Sequence, residues 1–111
     1  AAEPVVLYIL DYANVDLAPH APRLRAILDD ARDIQSITIR AYTDTAGTAE
    51  DNLRETAAYA NAVRDWFVSE GVAPERLTAL GLGEIELEIP TEDEVAQPLN
   101  RRIVIEVTYI G

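Results

Sequence analysis

The chain has 111 residues, of which 49% are apolar, and this length and composition suit one globular domain with a single modest core. Its formal net charge is −11, and a field of that sign repels nucleic acid and anionic lipid surfaces, so neither is expected as a partner. The chain has no cysteine, which excludes disulfide and thiol chemistry. It also has no run of 18 apolar residues, so membrane insertion of this domain is not predicted.

The first half of the chain predicts a strand, a helix and a second strand. Residues 5–10 are an unbroken β-branched and apolar run, which is typical of a buried strand. Residues 11–19 are a polar loop, and a short amphipathic helix is predicted over residues 20–32. Residues 36–42 alternate between apolar and polar side chains, which predicts the second strand. The apolar positions of the helix follow helical spacing: Leu24, Ile27, Leu28 and Ala31.

A long helix is the next predicted element. Residues 43–51 form a polar loop in which Gly47 is the expected position of positive φ. The helix is predicted over about residues 52–69, and Gly71 is expected to end it. Its apolar stripe consists of Ala57, Ala60, Val63 and Phe67.

Two strands complete the order βαβαββ. Residues 75–81 predict the third strand, residues 82–99 a long acidic loop, and residues 101–109 the fourth strand. Helices connect the first three strands, which are therefore expected to be parallel, whereas the last strand follows a long loop and is free to be antiparallel. The predicted fold is α+β: a two-layer sandwich with two helices on one face of a four-stranded mixed sheet, as a single domain over residues 1–111.

Residues that could support catalysis or metal binding are scarce. The chain has no GxSxG, HExxH or P-loop motif and no paired Cys/His site. His20, the only histidine, lies beside two prolines and is interpreted as a surface residue. The acidic run at residues 84–94 has the carboxylates that a divalent cation accepts, but it lacks fixed ligand spacing and is interpreted as a solvated loop. We therefore expect no catalytic residue, no cofactor and no metal site.

Six segments follow a spacing pattern that extends over nearly the whole chain. They are LDYANVDLAP at 10–19, IRAYTDTAG at 39–47, Asn52, AVRDWFVSEGV at 62–72, RLTALGLGE at 76–84 and NRRIVIEV at 100–107. Together they resemble the OmpA-like (OmpA/MotB, Pal-type) family of peptidoglycan-binding domains. Several motifs at the correct mutual spacing are more specific than any one of them.

The resemblance implies a ligand, the diaminopimelate of the peptidoglycan stem peptide, which is a zwitterion. In the family, the Asp of the Thr-Asp motif holds the ammonium group and an Arg in the helix holds the carboxylate. Asp44 would then hold the ammonium, together with Asp11, while Thr43 and Asn52 supply hydrogen bonds. From the residues alone, Asp44 can also be interpreted as a loop cap and Asp11 as a simple strand-end residue.

The helix arginine of the family pattern is missing. Counting from Asp44, the family places Gly three residues on, Asn eight on and Arg fifteen on, and this chain has Gly47, Asn52 and Tyr59. A tyrosine can donate only one neutral hydrogen bond, so the change would weaken carboxylate binding by roughly 10–100-fold. Glu55, one turn before Tyr59, is expected to face the same pocket and to repel the carboxylate.

Arg101 and Arg102 remain as candidate cations at the start of the last strand. Successive residues of a strand face opposite sides, so one is expected to reach the pocket and the other to be exposed or packed over an aromatic ring. We assign Arg101, with Tyr59, to the carboxylate end of the ligand.

Two functions remain open. The resemblance implies a non-catalytic module that tethers an outer-membrane or periplasmic protein of a Gram-negative bacterium to peptidoglycan, and hence a periplasmic location. The alternative is a degenerate OmpA-like domain that no longer binds diaminopimelate. It would then serve as a protein–protein interaction or spacer domain beside neighbouring domains of the full-length protein.

Overall fold

The computed structural model of the protein describes residues 5–10, 17–44, 46–84 and 101–110. The secondary-structure elements confirm the predicted order and the α+β class. Short 3-10 turns at Ala18–His20 and Pro74–Arg76 precede the first helix and the third strand. The elements are β1 (Val5–Leu10), α1 (Ala21–Leu28), β2 (Asp33–Tyr42), α2 (Ala49–Ser69), β3 (Leu77–Gly83) and β4 (Arg102–Ile110).

The sheet has the strand order β1-β4-β2-β3. β2 and β3 are parallel, and β4 is antiparallel to both of its neighbours, β1 and β2. The first three strands therefore run in one direction, as predicted, and the last strand lies between the first two. The sequence did not predict that β4 lies between β1 and β2, because the alternation of apolar and polar residues in a strand does not specify its neighbours in the sheet.

Both helices cover the same face of the sheet. The core-facing side chains of β2 and β4 form one apolar cluster with the buried side chains of the two helices. Phe67 of α2 and Leu24 of α1 are the largest side chains with no exposed surface. On the opposite face, Arg40 and Glu106 are half-buried and form an ion pair at 3.8 Å. The alternation of β2 and β4 thus separates an apolar face from a polar one.

The helix α2 begins three residues earlier than predicted, because Thr48 rather than a later residue caps it. The Thr48 hydroxyl accepts a hydrogen bond from the backbone N–H of Asp51 at 3.1 Å. Glu50 and Asp51 add negative charge in the first turn, where the helix dipole favours it. Asn52 therefore lies inside the helix and does not open it.

The helix α1 is shorter than the predicted 20–32, since it ends at Leu28. The chain turns at once into β2, and the Asp30 carboxylate accepts hydrogen bonds from both the backbone N–H and the guanidinium of Arg32 at 2.9 Å. An Asp that bonds nearby backbone favours a turn over continued helix. Within the four described ranges, neither helix has the length and apolar character needed to cross a lipid bilayer.

Candidate functional site

One edge of the sheet gathers most of the residues that the sequence analysis selected. The ends of the parallel strands β2 and β3 meet the start of the antiparallel strand β4 there: Tyr42 pairs with both Gly83 and Arg102. Thr43, which is buried, donates its backbone N–H to the carbonyl of Gly83 at 2.8 Å. The first turns of α2 lie at the same edge, so residues distant in sequence become neighbours.

Asp44 is the buried carboxylate of this edge, with only 4% of its surface exposed. Its Oδ1 accepts a hydrogen bond from the backbone N–H of Ala46 at 3.2 Å, which is the loop-capping contact. Its Oδ2 lies 3.7 Å from Nε of Arg101, whose side chain is about one-third exposed. The side chain therefore caps the loop and forms an ion pair at the same time.

Asn52 connects Asp44 to a residue that the sequence analysis did not select. Its side chain is buried, and Nδ2 is placed to donate to the backbone carbonyl of Asp44 and to Oε2 of Glu84, each at 3.4 Å. In the loop before α2, Gly47 has the expected positive φ, which is 81°. Glu84 ends the segment at 76–84 that contributes to the family resemblance, but its side chain was interpreted only as part of the solvated acidic run at 84–94. Its place in the family pattern was the signal that could have identified it.

Thr56 fixes α2 to the end of β3. Its fully buried hydroxyl accepts a hydrogen bond from the backbone N–H of Gly83 at 3.0 Å. It also lies within donating distance of the backbone carbonyls of Asn52 and Leu53, at 2.9 and 3.1 Å. The helix turn that carries Asn52 is therefore held at a fixed distance from the strand end that carries Glu84.

The two arginines at the start of β4 contact different groups. Arg102 is 6% exposed, and its guanidinium carbon lies 4.0 Å above the centre of the Tyr42 ring. This is a cation–π distance. Arg101 lies instead beside Asp44. Of the two, Arg101 is the cation that reaches the predicted site.

Tyr59 lies seven residues, or about two turns, after Asn52 on α2. It is half-buried and packs against the apolar cluster. Glu55, expected to share its pocket, is exposed, and the neighbouring Thr56 is the side chain of that turn that contacts β3. Asp11 and residues 85–94 of the acidic run lie outside the described residues.

A hollow of about 450 Å³ lies at the opposite edge of the sheet, between the end of α1 and the turn after α2. Three of its charged residues, Asp30, Arg32 and Arg76, bond to nearby protein groups. Hydrogen bonds from the side chain and the backbone N–H of Arg32 lower the pKa of the Asp30 carboxyl to about 2, and Arg76 donates to the carbonyl of Ile34 at 3.0 Å. Within the described part of the chain, no group of three His, Cys, Asp or Glu side chains could hold a metal ion.

Comparison with known proteins gives consistent matches. Residues 13–101 match the sequence profile of the OmpA family. The chain is 28% identical over 110 residues to the peptidoglycan-associated lipoprotein of Pseudomonas aeruginosa, covering 96% of this chain and 64% of that protein. It is 33% identical over 87 residues to the peptidoglycan-binding protein ArfA of Mycobacterium tuberculosis, covering 78% of this chain and 25% of that protein.

A solved structure shares the fold. The crystal structure of a MotB-like protein from Desulfovibrio vulgaris superimposes with a TM-score of 0.71 at 26% identity, covering 96% of this chain and 76% of that one. The chain spans less than two thirds of the length of both curated relatives, so those proteins contain further segments beyond the matched region.

Proposed function

Because the chain belongs to the OmpA family, we propose that it is a non-catalytic peptidoglycan-binding domain of the periplasm. It anchors the protein that contains it to the cell wall, in association with the outer membrane. The names of the Pseudomonas and Mycobacterium relatives, which refer to association with peptidoglycan and to its binding, support this function.

The observation that carries the proposal is the setting of Asp44. Folding has already removed this carboxylate from water, and the contacts with Ala46 and Arg101 fix its position. A desolvated, oriented anion binds an ammonium group more strongly than an exposed one, because a low dielectric strengthens the attraction. The ammonium of the diaminopimelate stem peptide binds Asp44 in this proposal.

The remaining site residues take supporting roles. Glu84 adds a second carboxylate near the ammonium, and Asn52 orients it. Thr43 and Asp11 also lie at the ammonium end of the ligand. Arg101 and Tyr59 face the carboxylate end, with Arg101 shared between Asp44 and the ligand.

Tyr59 also supports a second candidate function. If no cation replaces the helix arginine of the family, diaminopimelate binding is lost and the domain acts as a spacer or protein–protein interaction module. A neutral side chain at that position is the observation that favours this alternative.

A titration of the domain with meso-diaminopimelate, followed by NMR, separates the two functions. Binding predicts that millimolar ligand shifts the amide signals of residues 43–52 and that Asp44→Asn removes the shifts. This substitution retains the oxygen that accepts from Ala46, so the loop is preserved. Asp65→Asn is the matched control, because Asp65 is 74% exposed near the far end of α2. An absence of shifts in the wild type would contradict diaminopimelate binding and favour the second candidate function.

A further inference from the structure

The two edge strands of the described sheet, β1 and β3, are protected to different degrees. Near its end, β3 shifts register against β2: Ala41 pairs with Gly81 and Tyr42 pairs with Gly83, so one residue of β3 is left over. Bulges of this kind twist an edge strand away from a second sheet. β1 pairs with β4 without interruption and contains no glycine, proline or charged residue. Of the two edges, β1 is therefore the one that accepts another strand more readily.

Apolar side chains are exposed on both faces of β1. Val5 lies opposite Val107 of β4 and shares its core-facing side, whereas Val6 lies opposite Glu106 on the other side. Val5 is 40% exposed and Val6 is 43% exposed. Exposure of consecutive residues on opposite faces is expected where a strand lacks one neighbour, because the side chains of a neighbouring strand cover both faces.

A groove of about 210 Å³ lies along the same edge, between β1 and α1. Two charged residues of opposite sign, Arg23 and Asp30, form part of its lining, and Asp30 also bonds to Arg32 at 2.9 Å. The rest of the lining is apolar or aromatic: Val5, Val6, Leu7, Ala26, Ile27 and Tyr109. The groove therefore suits an apolar side chain from a strand added beside β1.

We propose that β1 is an interface between two copies of this chain, which pair antiparallel through their β1 strands and join their two sheets. The proposal goes beyond the proposed function and does not depend on it. A two-fold axis through Leu7, perpendicular to the sheet, pairs each β1 with the other and keeps both helix layers on one side. Val5 and Leu7 of each copy then lie on the side of the other copy's groove.

The composition of β1 favours a second copy over a different partner strand. A basic strand, which the net charge of −11 would attract, finds no acidic residue in β1 to bind. What β1 offers is uncharged and apolar, and a second β1 offers the same. Pairing the two strands places no like charges opposite each other.

The net charge sets the salt dependence of this dimer. Two copies that each carry −11 repel one another, so a contact as small as one strand and a groove gives only a weak dimer. Salt screens that repulsion and leaves the apolar contacts in place. The dimer should therefore become tighter as salt is added, which is the opposite of an interface held by ion pairs.

Analytical ultracentrifugation of the wild-type chain tests the proposal. We expect a dimer whose Kd is on the order of 100 µM and falls several-fold between about 0.05 and 0.5 M NaCl. Hydrogen exchange at the β1 amides should slow as the protein concentration rises, while exchange at the β3 amides should not change. A monomer at about 1 mM protein in high salt would overturn the proposal. Slowing at β3 instead of β1 would also overturn it.

Two matched variants locate the interface. Val6→Lys places a charge on the β1 edge and should raise the Kd of the dimer about tenfold or more, although it lowers the net negative charge. Leu53→Lys makes the same change in charge on α2, where Leu53 is 46% exposed, and should not raise the Kd. An equal Kd in the two variants would contradict the assignment to β1. Thermal melting checks that Val6→Lys folds, and the exchange data on the wild type decide the question if it does not.

Discussion

Asp44 illustrates how this fold keeps a charged side chain in a buried position. A buried carboxylate is tolerated only when charge and hydrogen bonds compensate its lost hydration. Arg101 supplies the charge and Ala46 supplies the hydrogen bond, while Asn52 bonds to the Asp44 backbone. The same compensation orients the carboxylate, so stability and the proposed ligand binding depend on the same contacts at this residue.

Thr56 gives a stability prediction at the scale of one hydroxyl. Thr56→Val keeps the shape of the side chain but leaves the buried N–H of Gly83 without its acceptor, which should cost about 1–3 kcal/mol of the free energy of unfolding. Urea denaturation of the two proteins measures this loss. Thr56→Ser retains the hydroxyl and should lose less; an equal loss in the two variants would show that the methyl group, not the hydrogen bond, matters.

The Asp30–Arg32 pair gives a prediction for acid pH. Hydrogen bonds from Arg32 lower the pKa of Asp30 from 3.8 to about 2. A carboxyl whose pKa is lower in the folded state stabilises the fold above its unfolded pKa and loses that effect as pH falls through its folded pKa. The contribution is therefore complete above about pH 4 and lost on approach to pH 2. An NMR titration of the Asp30 carboxyl should show a midpoint near 2, which Arg32→Gln should raise; an unchanged midpoint would exclude the Arg32 guanidinium as the cause.

At the scale of elements, the contact between α2 and β3 is the one that shapes the site. Gly81 of β3 lies so close to the helix that a Cβ there would be 2.2 Å from the backbone nitrogen of Ala57. Only a glycine permits this approach. The approach in turn lets the Thr56 hydroxyl reach Gly83 and the Asn52 amide reach Glu84.

Gly81→Ala should therefore separate the helix from the strand. We expect a loss of about 3 kcal/mol or more in the free energy of unfolding, because backbone rather than a flexible side chain has to move. NMR should also show altered amide signals at residues 43–52. Gly71→Ala is the control: its φ is 101°, but nothing lies within 4 Å of an added Cβ, so it should cost only about 1–2 kcal/mol and leave those signals unchanged. A loss in Gly81→Ala no larger than in the control would contradict the packing argument.

Element boundaries were less predictable than the elements themselves. The apolar periodicity of α2 starts after its actual first turn, so the pattern alone placed the helix start at residue 52. The first turn is polar and is specified by the Thr48 cap and two acidic residues. The reverse occurs at α1, where Ala31 continues the periodicity beyond the helix, and the bonds between Asp30 and Arg32 form a turn instead.

At the scale of the whole molecule, the strand order determines where the site lies. Placing β4 between β1 and β2 brings Arg101 to the edge that also holds the ends of β2 and β3. The net charge of −11 is spread over a chain with nine arginines, of which Arg101 contacts the site carboxylate directly. The overall charge thus opposes polyanionic partners, while the pairing of Arg101 with Asp44 sets the local charge at the proposed site.

The sequence by itself determined the α+β class, the order βαβαββ, the common direction of the first three strands and the family. These follow from local apolar periodicity and from spaced motifs, which are readable along the chain. Only the tertiary structure decided the position of β4, the pairing of Arg101 with Asp44, and the place of Glu84 and Thr56 in the site. Those contacts join residues far apart in sequence, and they depend on which strands become neighbours, which periodicity within one strand does not specify.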